Sequence, residues 1–338
     1  MFSSENVYAV ILAGDEDERL ASLTRALSNP SVPTQFAHIA GEGSLLQQTV
    51  ACYATVLGPE RIIVVVAGKW HELAQAQLRK WRGLSLLARP LDCGDVLDVV
   101  LGLRRVVERD PDANVVIAPA DSYVPKANAL VAALAAAQPA LATVPIILAG
   151  VPVNGEILGD RLLIPGPRLD GRVLSIRRVV ERVPAAEIKR WKELGALWDT
   201  SIALARAGAM WQLAMQQMPG DVATAAGLAR AASSPGPDLG TISRRAGAEK
   251  MRPTRWHSDS LGVIAVHGSG WNAWSSPEQV MDSLRDPLEL EQLLSRIYQH
   301  QWGIGRARMR RQFRREAKDR WVPSCAVLAQ RAQPTQRS

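Results

Sequence analysis

A chain of 338 residues, 47% hydrophobic and 22% charged, is long enough to bury one large α/β core with an extension, or two ordinary cores, and its composition excludes a disordered or fibrous chain. Mean hydropathy is −0.04, and no apolar run approaches the roughly 20 residues of a membrane-spanning helix without a charge, proline or glycine. The net charge of +7 is local: Gly305 to Arg320 holds eight basic and two acidic residues, a balance of +6 that leaves about +1 elsewhere, so a globally basic nucleic-acid surface is not implied.

The start, MFSSENVYAV, has no basic region ahead of a short apolar core and no small-residue cleavage site, so a cytoplasmic protein without a secretory signal is expected. Val7 to Ala13 is a continuous apolar run of strand length, as in a strand buried on both faces. A helical pattern over Ser44 to Leu57 leads to a second strand, Arg61 to Gly68. His71 to Arg82 is helical, Leu84 to Pro90 a short strand, and Val96 to Arg109 helical. Ala113 to Asp121 is a strand that ends at an acid. Asn128 to Gln138 is an Ala-rich helix and Ala142 to Gly150 a strand. Repeated βα units predict a Rossmann-like, doubly wound, mostly parallel sheet with helices on both faces. Ligands in such sheets bind beyond the carboxyl ends of the strands, where Gly14 and Asp121 fall.

The second half is less regular. Leu162 to Pro184 contains short strands, Ala185 to Leu194 a helix, Asp199 to Ala205 a strand, and Ala209 to Met218 a helix. Ala232 to Gly240, ASSPGPDLG, is a loop-rich connection. Cys52, Cys93 and Cys325 have no metal-binding or disulfide-framework spacing. His38, His71, His257, His267 and His300 are dispersed, and Trp271 and Trp274 suit packing better than a sugar platform.

Five segments together resemble the sugar-1-phosphate nucleotidyltransferases, and specifically their mannose-1-phosphate guanylyltransferase branch. They are ILAGDEDERL (Ile11 to Leu20), VPTQFAHIAGEGSLLQQTV (Val32 to Val50) and VVIAPADS (Val115 to Ser122). The fourth pairs VVERVP (Val179 to Pro184) with GALWDTSI (Gly195 to Ile202), and the fifth is GSGWNAWSSPEQV (Gly268 to Val280). The resemblance implies a nucleotide-diphospho-sugar transferase fold over residues 1–285, followed by a helical, basic extension over 286–338. It also implies a reaction in which a sugar-1-phosphate oxygen attacks the α-phosphorus of GTP and releases pyrophosphate. That chemistry is mostly positioning and neutralisation of phosphate charge, with Mg²⁺ held by aspartates.

Carried over residue by residue, the resemblance gives Gly14 and Arg19 to the phosphate loop and Asp121 to the metal. It gives Gly94, Glu181, Arg182 and Asp199 to nucleotide and sugar binding. The remaining loop glycines are replaced by Asp15 and Asp17, the loop threonine by Glu18, the lysine of P-K-Q-F by Thr34, and the second metal aspartate by Ala273. Side chains stand where backbone must approach phosphate, and each like-charge contact near 4 Å costs about 1 kcal/mol in water and about 4 kcal/mol at an effective dielectric of 20. Two readings stand. One is an impaired or inactive relative that binds GTP or a nucleotide sugar and partners an intact guanylyltransferase or polysaccharide-synthesis enzyme. The other is an active, Mg²⁺-dependent guanylyltransferase. The basic tail is a further candidate contact for an acidic partner.

Overall fold

The computed structural model describes residues 2, 6–14, 18–28, 30–89, 95–154, 159, 161–217, 219–220, 222–223, 227, 261–284 and 287–302. The basic stretch 305–320 and the connection 232–240 lie outside the described residues. The chain separates into two compact units, one of Met1–Asp15 with Thr49–Ala273 and the other of Glu16–Gln48 with Trp274–Ser338.

The first unit carries the whole sheet. In chain order its elements are β1 (Val7–Ala13), the greater part of α2 (Leu45–Leu57), β2 (Ile62–Ala67), α3 (His71–Leu78), β3 (Ser85–Arg89), α4 (Asp95–Arg109), β4 (Asn114–Pro119), α5 (Ala127–Ala137), β5 (Ile146–Pro152), β6 (Arg161–Asp170), β7 (Val173–Glu181), α6 (Ile188–Glu193), β8 (Leu197–Arg206), α7 (Ala207–Gln217) and β9 (Leu261–Ala265). The strand order is β3-β2-β1-β4-β8-β5-β9-β7-β6. β1 pairs in parallel with β2 and β4, β2 with β3, and β5 with β9, while β8 runs antiparallel between β4 and β5. The sequence-predicted α/β architecture with a mostly parallel sheet is the one observed.

Burial explains the composition of the central strands. All six residues of β2 are buried, and the core joins Val10, Ile63 and Val65 of the sheet to Leu103 and Val106 of α4 and Met210 of α7. A strand covered by helices on both faces has no solvent side, so it reads as an unbroken apolar run. Gly102 lets α4 lie directly on β1, because a Cβ there would overlap the Val10 side chain.

Past β5 the topology departs from simple βα repetition. β6 and β7 form an antiparallel ribbon; β7 pairs with β9, and β6 returns to pair with β8 through Leu162↔Trp198 and Leu163↔Leu197. Strands β8, β5, β9, β7 and β6 therefore close on one another. Strand β5 begins at Ile146, not at the predicted Ala142, because Gln138–Ala142 forms a 3-10 turn in which Ala140 O accepts from Thr143 N and Val144 N.

In the second unit, α1 (Ala21–Leu27) packs on α9 (Pro287–Trp302), and α8 (Pro277–Ser283) lies between Trp274 and α9 in the chain. Arg296 of α9 holds the Ile39 carbonyl through Nη1 at 3.1 Å. The SLLQQ segment starts α2 with a reciprocal cap: Gln47 N donates to Ser44 Oγ at 3.2 Å, and Ser44 N donates to Gln47 Oε1 at 2.9 Å. Helix α8 starts in a related way, with Ser276 Oγ accepting from Gln279 N and Pro277 in the first turn, where its missing N–H costs nothing.

Candidate functional site

β1 and β4 are adjacent, and the chain leaves both at the carboxyl edge of the sheet. Ala120 N donates to Leu12 O at 2.8 Å, which carries Asp121 alongside the end of β1 and Gly14. Asp121 is half-buried in the bend that follows. Two residues on, Tyr123 and Asn272 form an isolated antiparallel bridge, with N–H···O distances of 3.1 and 2.9 Å. Lys126 N extends the contact to Ser269 O at 3.0 Å. The bridge brings Ala273 to the strand end that carries Asp121. A methyl group stands where the resemblance implies the second metal carboxylate.

Among the described residues, no group of three or more His, Cys, Asp or Glu side chains is placed to hold a metal ion. Mg²⁺ takes oxygen ligands in near-octahedral geometry and usually one or two carboxylates besides substrate phosphate. The described residues do not supply the aspartate pair, so they do not fit the Mg²⁺ site that the resemblance implies.

Gly14 sits in an environment that sequence reasoning missed. Arg89, the last residue of β3, donates from Nη2 to the Gly14 carbonyl at 2.9 Å, and its Nε pairs with Asp98 Oδ1 at 2.6 Å. The two side chains are 2% and 0% exposed. A Cβ on Gly14 would strike the Asp98 carboxylate, with Arg89 Nη2 at 2.8 Å. This glycine is thus required by what lies behind it, whatever approaches from the front. Asp98 shares the stripe of α4 formed with Gly102 and Val106, spaced four residues apart on the core face. An acid in an apolar stripe was the signal that a buried cation had to be near.

A second group of expected residues meets at the base of the β6–β7 ribbon. Because β8 is antiparallel to β5, its first residues lie at the carboxyl end of β5, with Gly150 opposite Asp199. Arg161 opens β6 opposite Glu181, which closes β7, and Arg161 Nη2 reaches Asp199 Oδ2 at 2.7 Å. Asp199 Oδ1 accepts from Ser201 N at 2.8 Å, and Thr200 Oγ1 donates to Ala149 O at 2.7 Å. Burial raises the Asp199 pKa above the ordinary aspartate value; the Arg161 charge and the Ser201 N–H oppose the shift without cancelling it. Arg182 and Ser201 both adopt left-handed backbone, φ 53° and 58°. Side chains rarely hold that conformation without a local constraint, and such strain concentrates at functional sites. Asp199 is 1% exposed and Arg161 15%, so the acid is committed to its partner, whereas Glu181 and Arg182 are exposed.

The structure therefore brings Gly14 to Asp121, and sets Glu181 opposite Arg161, the partner of Asp199. Arg19 is exposed in the 3-10 turn Glu18–Leu20 of the second unit. Asp15, Asp17 and Gly94 lie outside the described residues. Thr34 is buried in the 3-10 turn Thr34–Phe36, a neutral hydroxyl in place of a lysine. Trp271 and Trp274 are 3% and 4% exposed and act as packing residues, with Trp274 Nε1 donating to Ser283 Oγ at 2.7 Å. Burial pushes the Cys52 thiol up to about 12, which keeps it protonated.

This architecture is the nucleotidyltransferase fold. The chain is similar over 86% of its length to a crystal structure of mannose-1-phosphate geranyltransferase from Thermus thermophilus, with a TM-score of 0.66, 21% identity and 79% of that chain covered. It is also similar to the inositol-1-phosphate CTP transferase from T. maritima, with a TM-score of 0.53, 14% identity, and 88% and 98% of the two chains covered. A mannose-6-phosphate isomerase from Helicobacter pylori has a TM-score of 0.59 at 13% identity, over 79% of this chain and 99% of that one. These likenesses show the fold. In sequence, the chain is 28% identical over 220 residues to the alginate biosynthesis protein AlgA of Pseudomonas putida, a match that spans 59% of this chain and 41% of that protein. No family model matches the chain. The AlgA match accompanies the resemblance to the mannose-1-phosphate guanylyltransferase branch noted in the sequence, and the structural neighbours bear on the fold alone.

No helix among the described residues is long and apolar enough to cross a membrane.

Proposed function

We propose that this chain is a nucleotidyltransferase-fold protein in which phosphoryl-transfer chemistry is impaired or lost. It binds a nucleotide sugar of the GDP-mannose type in the cytoplasm and acts as a regulatory partner of an intact guanylyltransferase or a polysaccharide-synthesis enzyme. The observation that carries this reading is Ala273, held by the Tyr123–Asn272 bridge at the strand end of Asp121, where transfer needs a second carboxylate. Phosphate transfer depends on neutralising charge at the phosphates, and the loss of a metal ligand and of the positive charge at Thr34 acts on that requirement twice. Glu181 and Arg182, exposed at the ribbon base, remain able to engage a sugar phosphate. The name of the AlgA relative, an alginate biosynthesis protein, supports a setting in polysaccharide synthesis.

A second reading, an active guanylyltransferase, is favoured by one observation: Gly14 and Asp121 lie together at the carboxyl edge of β1 and β4. Incubation with GTP, mannose-1-phosphate and Mg²⁺, with pyrophosphate followed, separates the two. The proposal expects no turnover but retained GDP-mannose binding by calorimetry. Turnover near about 1 per second, within the ordinary enzyme range, would establish the second reading.

A further inference from the structure

We propose that the His38 ring is a pH-sensitive latch on the loop 41–43 ahead of α2: the neutral ring accepts the Gly43 N–H and holds the loop closed, and the protonated ring releases it. The proposal stands apart from the nucleotide-binding reading above.

One ring nitrogen faces two backbone groups of opposite kind. His38 Nε2 lies 2.9 Å from the Gly41 carbonyl oxygen and 3.2 Å from Gly43 N, which directs its N–H at the ring. An imidazole nitrogen carries either a proton or a lone pair, so Nε2 cannot donate to Gly41 and accept from Gly43 at once. The two contacts therefore belong to two states. With the proton on Nδ1, the neutral ring takes the Gly43 N–H. This tautomer is the favoured one, because an orphaned N–H is rarer in folded proteins than a carbonyl short of a partner. In the protonated ring Nε2 bears hydrogen, donates to Gly41 O, and turns an N–H against the N–H of Gly43.

The backbone around the ring has a fixed side and a side that can move. Arg296 Nη1 of α9 holds the His38 carbonyl at 3.3 Å and the Ile39 carbonyl at 3.1 Å. Gln48 Nε2 of α2 holds Ala40 O at 2.6 Å and Gly43 O at 3.2 Å. Gly41 and Gly43 have φ 63° and 84°, left-handed backbone that glycine enters without steric cost. Release of the Gly43 N–H thus loosens the peptide that leads into the Ser44–Gln47 cap, while the residues before Gly41 stay tied to the two helices. The charges facing the ring are Arg296 of α9, which opposes protonation, and Glu42 of the loop, which favours it. Burial is the larger influence and, with Arg296, holds the His38 pKa below its ordinary 6.5 against the pull of Gly41 O and Glu42. A depressed folded-state pKa means that the latch contributes stability above pH 6.5 and loses it as pH falls through the folded value.

Heteronuclear NMR on the ¹⁵N-labelled full chain, between about pH 7.5 and about pH 5, covers the range in which histidine changes charge. At the upper end Nε2 should show the shift of an unprotonated, accepting nitrogen. On acidification the protection of the Gly43 amide, corrected for the intrinsic pH dependence of exchange, should fall about tenfold, the equilibrium equivalent of one hydrogen bond. Its midpoint should be that of the ring and lie below 6.5, with protection in β5 and β8 unchanged. His38→Gln offers Gly43 a carbonyl and Gly41 an amide at every pH, so its Gly43 protection should be equal at both ends. A neutral ring with its proton on Nε2, a midpoint at or above 6.5, or Gly43 protection that does not follow the ring would each overturn the proposal. Protection in His38→Gln that still falls with pH would assign the loss to another group and overturn it as well. Should that variant not fold, the unaltered protein decides alone, because ring and amide are read in the same molecule.

Discussion

Breaking the Arg89–Asp98 pair from one side should be far more damaging than removing it altogether. In Asp98→Leu the carboxylate at 2.6 Å from Arg89 Nε is gone, while the guanidinium stays at a position that is 2% exposed. Two unit charges about 4 Å apart attract by about 4 kcal/mol at an effective dielectric of 20. Removing one member of a buried pair costs about 3–5 kcal/mol, because the remaining charge is still desolvated. Against a typical domain stability of about 5–15 kcal/mol, that is at least about a fifth of the total. With a urea slope of about 2 kcal/mol per molar, the midpoint should fall by roughly 1.5–2.5 M. Arg89→Met alone leaves Asp98 buried and also removes the donor to Gly14, so its loss should be at least as large. The double substitution should recover most of the single losses, giving a coupling of about 2 kcal/mol or more in a double-mutant cycle. Urea unfolding followed by tryptophan fluorescence and far-ultraviolet dichroism measures all four proteins. Additive losses, or an Asp98→Leu cost below about 1 kcal/mol, would mean that water reaches the pair and that its burial is not energetically real.

Two further outcomes follow from separate parts of the molecule. Asp199→Asn should become progressively less destabilising, relative to wild type, as pH rises from 4 to 8. Burial raises the folded-state pKa of Asp199, so its protonated form contributes stability at low pH that is lost as pH rises through the folded pKa, and asparagine has no such loss. Urea midpoints of both proteins across that range measure it, and a difference that moves against asparagine would show that Arg161 outweighs burial. Ser44→Ala should cost about 1 kcal/mol by removing the acceptor for Gln47 N, with Ser44→Gly costing less, both read as shifts in the thermal midpoint. Equal midpoints for all three proteins would show that the cap carries no stability.

The regular half of the fold was legible because its strands are buried on both faces. Val7–Ala13 coincides with the predicted first strand, and the next three strands fall within a residue or two of their apolar runs. The rest depends on contacts that no local pattern carries. β9 is five residues, LGVIA, and becomes a strand through parallel pairing with β5. Helix α1 has no side-chain cap to announce it: Leu20 holds the N-cap position and offers no hydrogen bond. The return of β6 to β8 joins residues about 35 positions apart and has no sequence signature. Strand-end logic put Gly14 and Asp121 at the carboxyl edge of β1 and β4, and that location, though not any role, is what the pairing of these strands bears out. Arg161 and Arg89 were silent because they act on Asp199 and on the Gly14 carbonyl, far away in the chain, whereas Asp98 left one signal, an acid in the apolar stripe of α4.

The division of labour within the matched segments bears on what the resemblance transmits. In the second segment, SLLQQ is retained, and there Ser44 and Gln47 close the cap of α2 while Gln48 Nε2 holds the Ala40 carbonyl at 2.6 Å. In the fifth, Ser276, Pro277 and Gln279 start α8, and the backbone of Asn272 bridges to Tyr123. These residues fold the chain, and their jobs are complete without any ligand. Of the side chains that the resemblance assigns to phosphate or metal, Arg19 and Asp121 are retained and two differ: Thr34 sits two residues before Phe36 in a buried turn, and Ala273 sits one residue past the bridge. Gly14 belongs with the first group, since the buried pair behind it already forbids a side chain. A match built from helix caps, bridges and packed glycines carries a fold from one protein to another. The proposed loss of transfer chemistry rests instead on Thr34 and Ala273, where the resemblance implies charges that this chain does not carry, and the pyrophosphate assay tests it there.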